Sequence, residues 1–205
     1  MRFRWIGISL LPVSILLLAG TASAQEMVTE PSTGKKFPTV QSFSAGGKEY
    51  TMQLTGVAVR KKVIFKVYGM AHHMENPAGG TRAGVIKDAL TDGKAKQITM
   101  VFVRDVDASS IQNAYRNGFK ENASKQELPQ IQALIERFVG NFTSEVKEND
   151  VFILRWLPGG TIIPVIKGEE KEPITSQVFA RVLWTIWFGD DSIVDPDDLV
   201  DRVAK

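Results

Sequence analysis

The sequence predicts an α+β fold built on an antiparallel sheet, and three observations carry that prediction. Runs dense in Val, Ile, Phe and Thr are joined by short glycine-rich turns, Gly46-Gly47 and Pro158-Gly159-Gly160, as hairpins require. Two long stretches switch to helical periodicity, most clearly where Ile131, Leu134, Ile135, Phe138, Val139 and Phe142 form one apolar stripe. The order along the chain is strands, helices, strands, helices, without the strict alternation of a parallel α/β sheet.

The chain opens with Arg2 and Arg4, an apolar core over 6–18 and the small-residue site Ala22-Ser23-Ala24. This is the pattern of a secretory signal peptide over residues 1–24, cleaved after Ala24. The apolar core is shorter than the roughly 18 residues of a spanning helix and is interrupted by Pro12 and Ser14, so no lasting membrane anchor is expected. A periplasmic or secreted location follows. The sequence holds no cysteine, which rules out disulfides, thiol chemistry and a lipid anchor on cysteine.

Residues 25–36 are polar, carry Pro31 and Gly34, and read as a mobile lead-in to one domain over 37–205. Strands are expected over 39–43 and 49–54. The next stretch, LTGVAVRKKVIFKVYGMAHHME over 54–75, concentrates β-branched and aromatic residues and sets Arg60 and Tyr68 among them. A guanidinium in an apolar strand region needs an anion or several acceptors. On one straight strand Arg60 and Tyr68 would stand about 26 Å apart. If the chain turns back at Lys61 and Lys62, they fall on neighbouring strands and can serve one ligand. The competing reading makes Arg60, Lys61 and Lys62 the solvated tip of a hairpin.

Asn76-Pro77 and Gly79-Gly80 end this meander. Thr81 can cap a short helix to Leu90, a strand follows over 97–103, and Asp107 or Ser109 can cap a helix with Ile111, Ala114, Tyr115 and Phe119 on one side. The striped helix comes next, then a hairpin over 150–157 and 161–166. A helix over 174–188 stops at Gly189, and Pro196 suits the first turn of a short C-terminal helix.

A net charge of +2 gives no basic footprint for nucleic acid. His72 and His73, the only histidines, are adjacent on a strand and point to opposite faces, so they do not chelate one metal. Asp190, Asp191, Asp195, Asp197 and Asp198 read as a solvated loop and helix start. Trp156, Trp184 and Trp187 fill the core or line a cleft. No cofactor is implied.

The run Gly56-Val57-Ala58-Val59-Arg60, the strand over 66–71, Val103-Arg104-Asp105, the 151–165 hairpin and the ending Leu183-Trp184-Thr185-Ile186-Trp187-Phe188-Gly189-Asp190 together resemble the chalcone isomerase-like family, in an exported bacterial branch. The resemblance implies an open-faced sandwich: a large antiparallel sheet, helices packed on one face, a cleft between them. In the family's enzymes an arginine matching Arg60 polarises the substrate, a threonine stands where Tyr68 is, and a tyrosine and an asparagine on later helices complete the site. The stretch 128–138 carries neither of those two, while Thr185 matches a threonine that contacts the flavonoid end of the cleft. The family's non-catalytic members bind fatty acids with an arginine and a tyrosine like Arg60 and Tyr68. No catalytic residue is assigned; Arg60, Tyr68 and Thr185 are the candidate ligand contacts. Three readings stay open: a binder of a fatty acid or similar amphiphile, an isomerase or lyase on a small enone, and a structural envelope protein without a ligand.

Overall fold

The computed structural model describes residues 25–205; the expected signal peptide over 1–24 lies outside them. The first described elements, β1 (Met27–Thr29) and β2 (Lys36–Pro38), pair with each other. The polar lead-in thus holds a hairpin, fixed by the Glu30 carboxylate, which accepts from the backbone N–H groups of Ser32 and Thr33 at 2.9 and 2.7 Å. Sequence polarity hid this hairpin because it buries little beyond Phe37.

The main sheet contains β3 (Val40–Ala45), β4 (Lys48–Lys62), β5 (Phe65–Met74), β6 (Lys96–Phe102), β7 (Val151–Leu157), β8 (Thr161–Ile166), β9 (Glu169–Glu170) and β10 (Ile174–Thr175). From β3 to β8 the strands lie side by side in chain order, each antiparallel to the next, and β9 and β10 both pair with β8. The helices are α1 (Arg82–Leu90), α2 (Ala108–Asn122), α3 (Glu127–Val139) and α4 (Gln177–Phe188). They cover one face, where Met70, Met100, Phe102, Phe152 and Trp156 of the sheet meet Phe119, Phe138, Phe179, Trp184 and Trp187. The α+β, open-faced architecture is the one expected. The lead-in hairpin packs on the other face, where Phe37 and Val28 meet Leu54, Val57, Ala71 and Val101.

The long strand β4 changes face midway. Its pairing with β5 slips between Leu54 and Gly56, so Thr55 is an extra, bulged residue. Leu54 and Val57 consequently share the outer face, while Gly56, Ala58 and Arg60 turn toward the helices. The chain reverses at Val63 and Ile64, two residues beyond the expected Lys61-Lys62 turn.

Two helical expectations change at the C-terminal end. Residues 174–175 are not helical: they add to the edge of β8, and Ser176 caps α4 by accepting from Phe179 N–H at 3.2 Å. Ile174 is apolar because it reaches the core from a strand. The segment after Pro196 forms successive turns in place of a helix. It is tied to the sheet through Arg202 N–H, which donates to Thr55 O at 3.0 Å, and its main chain presses on Gly56, where a Cβ would stand 2.1 Å from Asp198 O.

Candidate functional site

The β4–β5 hairpin sets Arg60 and Tyr68 directly opposite each other. Side chains so paired start about 5 Å apart at Cβ and lean to the same face, and here that face lies beneath the helices. The alternative of a straight strand, with the two residues far apart, is excluded by the turn. Arg60 is half-buried, and its Nη1 donates to Ile193 O at 2.8 Å. No carboxylate among the described residues pairs with it. One carbonyl satisfies one of five guanidinium donors, so the remaining donors are available to an anion.

Tyr68 is buried, packs edge-on against Phe102, and its hydroxyl oxygen accepts from Trp187 Nε1–H at 3.0 Å. Its own proton has no acceptor among the described residues. Burial pushes the phenol up to about 12, against the smaller opposing pulls of the Trp187 hydrogen bond and the Arg60 charge. Tyr115, on α2, stands 6.3 Å from Trp187 between ring centroids, and burial, with a smaller push from the Tyr68 phenol, raises it well above the ordinary phenol range. The site therefore presents one fixed cation and two phenols that stay protonated. Such groups donate to an anion and neither gives up a proton near neutral pH.

Thr185 is not brought to this pair. Its hydroxyl donates to Val182 O at 2.7 Å within α4, and its side chain borders Gly189 and Asn122 of α2. Two residues along a helix is about 200° of rotation, so Thr185 and Trp187 point to nearly opposite sides of α4.

The stretch 128–138 holds no tyrosine or asparagine, whereas α2 carries Tyr115 and Asn122. The two lie two turns apart on one face of α2, with the Tyr115 ring 6.3 Å from that of Trp187 between centroids and Asn122 beside Gly189 and Thr185. α3 packs outside, contributing Phe138 against Tyr115 at 4.9 Å between ring centroids.

The histidines separate as expected. His73 faces the lead-in hairpin, its Nε2 donating to Pro38 O at 2.8 Å. His72 is buried under the helices in a chain of hydrogen bonds: Trp184 Nε1–H donates to His72 Nε2 at 3.4 Å, His72 Nδ1 meets Thr55 Oγ1 at 2.7 Å, and Thr55 Oγ1 donates to Leu199 O at 2.7 Å. Only the tautomer with the proton on Nδ1 satisfies every link. Burial holds His72 well below the ordinary imidazole range and lowers His73 as well.

A second polar cluster, unforeseen in the sequence, sits at the other end of the sheet. Lys96 is fully buried with Nζ 4.0 Å from the Trp156 ring centre and donates to Thr91 O at 2.5 Å. Burial draws its ammonium down to about 8, and Asp92 opposes that shift. Asp92 accepts from Trp156 Nε1 at 3.2 Å and from Gly159 N–H at 3.0 Å, which locks the α1–β6 loop to the β7–β8 turn.

Comparison with known proteins follows the same lines. A family model described as chalcone isomerase-like matches residues 33–198. Among solved structures, the fold is similar to the crystal structure of a fatty-acid binding protein of Arabidopsis thaliana, with a TM-score of 0.67 and 18% sequence identity over 87% of this chain and 98% of that one. At that identity the likeness establishes the shared fold. No curated protein matches the sequence.

Proposed function

The chain belongs to the chalcone isomerase-like family, and from that premise we propose that it is an exported, non-catalytic binder of a fatty acid or a similar amphiphilic carboxylate. The observation that carries this reading is the pairing of Arg60 with Tyr68 on facing strands: a guanidinium with donors to spare beside a phenol whose oxygen is occupied by Trp187 and whose proton is free. A carboxylate offers two acceptor oxygens and takes both kinds of donor. The Ile193 carbonyl takes one guanidinium donor and leaves the others for the carboxylate. The likeness in fold to a plant fatty-acid binding protein supports the same reading.

Titration calorimetry with a twelve-carbon fatty acid and its methyl ester tests it. A charge-assisted guanidinium pair is worth roughly 1.5–3 kcal/mol and a neutral phenol bond roughly 0.5–1.5 kcal/mol. Arg60→Ala is expected to weaken acid binding about 10- to 150-fold and Tyr68→Phe about 2- to 10-fold. The ester, lacking the charge, should bind weakly and ignore the arginine substitution. Equal affinity of the wild type for acid and ester would leave Arg60 with only its structural bond to Ile193 O and end the proposal.

A second reading, an intramolecular lyase on an enone, is favoured by one observation: α2 carries on one face Tyr115, whose ring lies 6.3 Å from that of Trp187, and Asn122, beside Gly189 and Thr185. The phenols of Tyr68 and Tyr115 are both pushed away from the range useful for proton transfer at neutral pH. The chain is therefore expected not to cyclise a chalcone above background; turnover abolished by Arg60→Ala would restore the enzymatic reading.

A further inference from the structure

The three most exposed large apolar side chains among the described residues are consecutive: Val63 at 88%, Ile64 at 80% and Phe65 at 56%. They form the tip of the β4–β5 hairpin. Val63 sits at φ 58°, a left-handed conformation that a β-branched residue resists and that glycine or asparagine adopts freely in two-residue hairpin turns. Folding alone would favour a small polar tip. This sequence instead puts bulky apolar groups into water on a strained turn.

The surroundings of the tip are cationic. Lys61 and Lys62 precede it and Arg104 lies 4.7 Å from the Phe65 ring centre; all three are exposed, and none forms an ion pair among the described residues. Lys66 is also exposed and is held by Ser32 O. Asp195 and Asp198 share a shallow depression with Lys61, without pairing to it.

We propose that this tip docks the protein on an anionic lipid bilayer, with Val63, Ile64 and Phe65 entering the interface and Lys61, Lys62 and Arg104 meeting the phosphate headgroups. Apolar groups bordered by cations match both layers of such a surface. A second protein fits less well, because a convex two-residue turn cannot approach the roughly 1,200–2,000 Å² buried in a stable interface. Docking does not depend on the carboxylate site. Where both operate, the hairpin that touches lipid is the one that carries Arg60 and Tyr68 a few residues from the bilayer.

Co-sedimentation of residues 25–205, which carry the whole described fold, with vesicles of phosphatidylcholine alone and of phosphatidylcholine mixed with phosphatidylglycerol tests the proposal. The protein is expected on the mixed vesicles and not on the neutral ones, with binding that falls as salt rises. Ile64→Ser with Phe65→Ser should lower partitioning at least tenfold, and Lys61→Gln and Lys62→Gln about fivefold each. These exposed changes leave circular dichroism and dodecanoic-acid binding in solution unchanged, so a failure of docking is distinct from a failure of the ligand site. Equal sedimentation of wild type and tip variants, or no sedimentation with anionic vesicles, overturns the proposal. So does a concentration-dependent dimer abolished by the same variants, which would assign the tip to a second copy.

Discussion

The indole N–H of Trp187 donates to the hydroxyl oxygen of Tyr68 at 3.0 Å, joining α4 to β5 at the point where β5 faces Arg60. The bond occupies the oxygen of the phenol and leaves its proton to point elsewhere. Trp187→Phe is expected to lower thermal stability through the lost bond and the smaller ring, and to weaken binding of the fatty acid about 2- to 10-fold while leaving its ester unaffected. A purely structural tryptophan would change both ligands alike.

Thr185→Val should change acid affinity less than twofold, since the hydroxyl is spent on Val182 O and borders Asn122, away from Tyr68. A loss comparable to that of Tyr68→Phe in the same calorimetry would bring Thr185 back into contact with the ligand.

The sheet and most helices were legible because hairpin glycines, caps such as Thr81 and Asp107 and the stripe of α3 are local signals. What the sequence concealed depends on faces and neighbours. The Thr55 bulge is invisible in a run of uniformly strand-forming residues, yet it decides that Arg60 faces the helices, since a slip of one residue reverses every side chain. Ile174 carries the apolar character of the following helix but belongs to an edge strand. Of the site, the Arg60 and Tyr68 pairing was open to a hairpin reading, while Trp187 as donor and Tyr115 as neighbour required the packing of α4 and α2 over the sheet.

Stability should fall on mild acidification. In the unfolded chain His72 and His73 take up protons near pH 6.5, whereas burial lowers both in the folded protein. The unfolded state then binds more protons below that pH, so each histidine costs about 1.4 kcal/mol per pH unit until its folded form also protonates. Urea unfolding between pH 7 and 5 should show this slope. His73→Gln, which keeps a donor for Pro38 O, should reduce it by about half; a flat profile in the wild type would mean that the imidazoles protonate inside the fold.

Export is checked directly. Protein recovered from the cells that make it is expected to begin at Gln25, and recovery of the chain with Met1 intact in the membrane fraction would contradict the proposed cleavage after Ala24.

The C-terminal segment should be the part of the fold most sensitive to a single added methyl group. At Gly56 a Cβ would lie 2.1 Å from Asp198 O and 2.7 Å from Leu199 Cα, distances that no side-chain adjustment relieves because both atoms are main chain. Gly56→Ala must therefore push residues 198–199 away from β4. That motion strains two bonds at the bulge, Thr55 Oγ1 to Leu199 O and Arg202 N–H to Thr55 O, and through Thr55 it disturbs the buried chain to His72 and Trp184. Overpacking of this kind costs about 1–3 kcal/mol, and each kcal/mol moves the midpoint of a domain this size by roughly 2–4 °C, so a fall of roughly 2–12 °C is expected. Hydrogen exchange locates the damage: the Arg202 amide should lose protection while the β6 and β7 amides, remote from the clash, keep theirs. A variant with an unchanged midpoint and a protected Arg202 amide would mean that the segment yields without releasing the sheet.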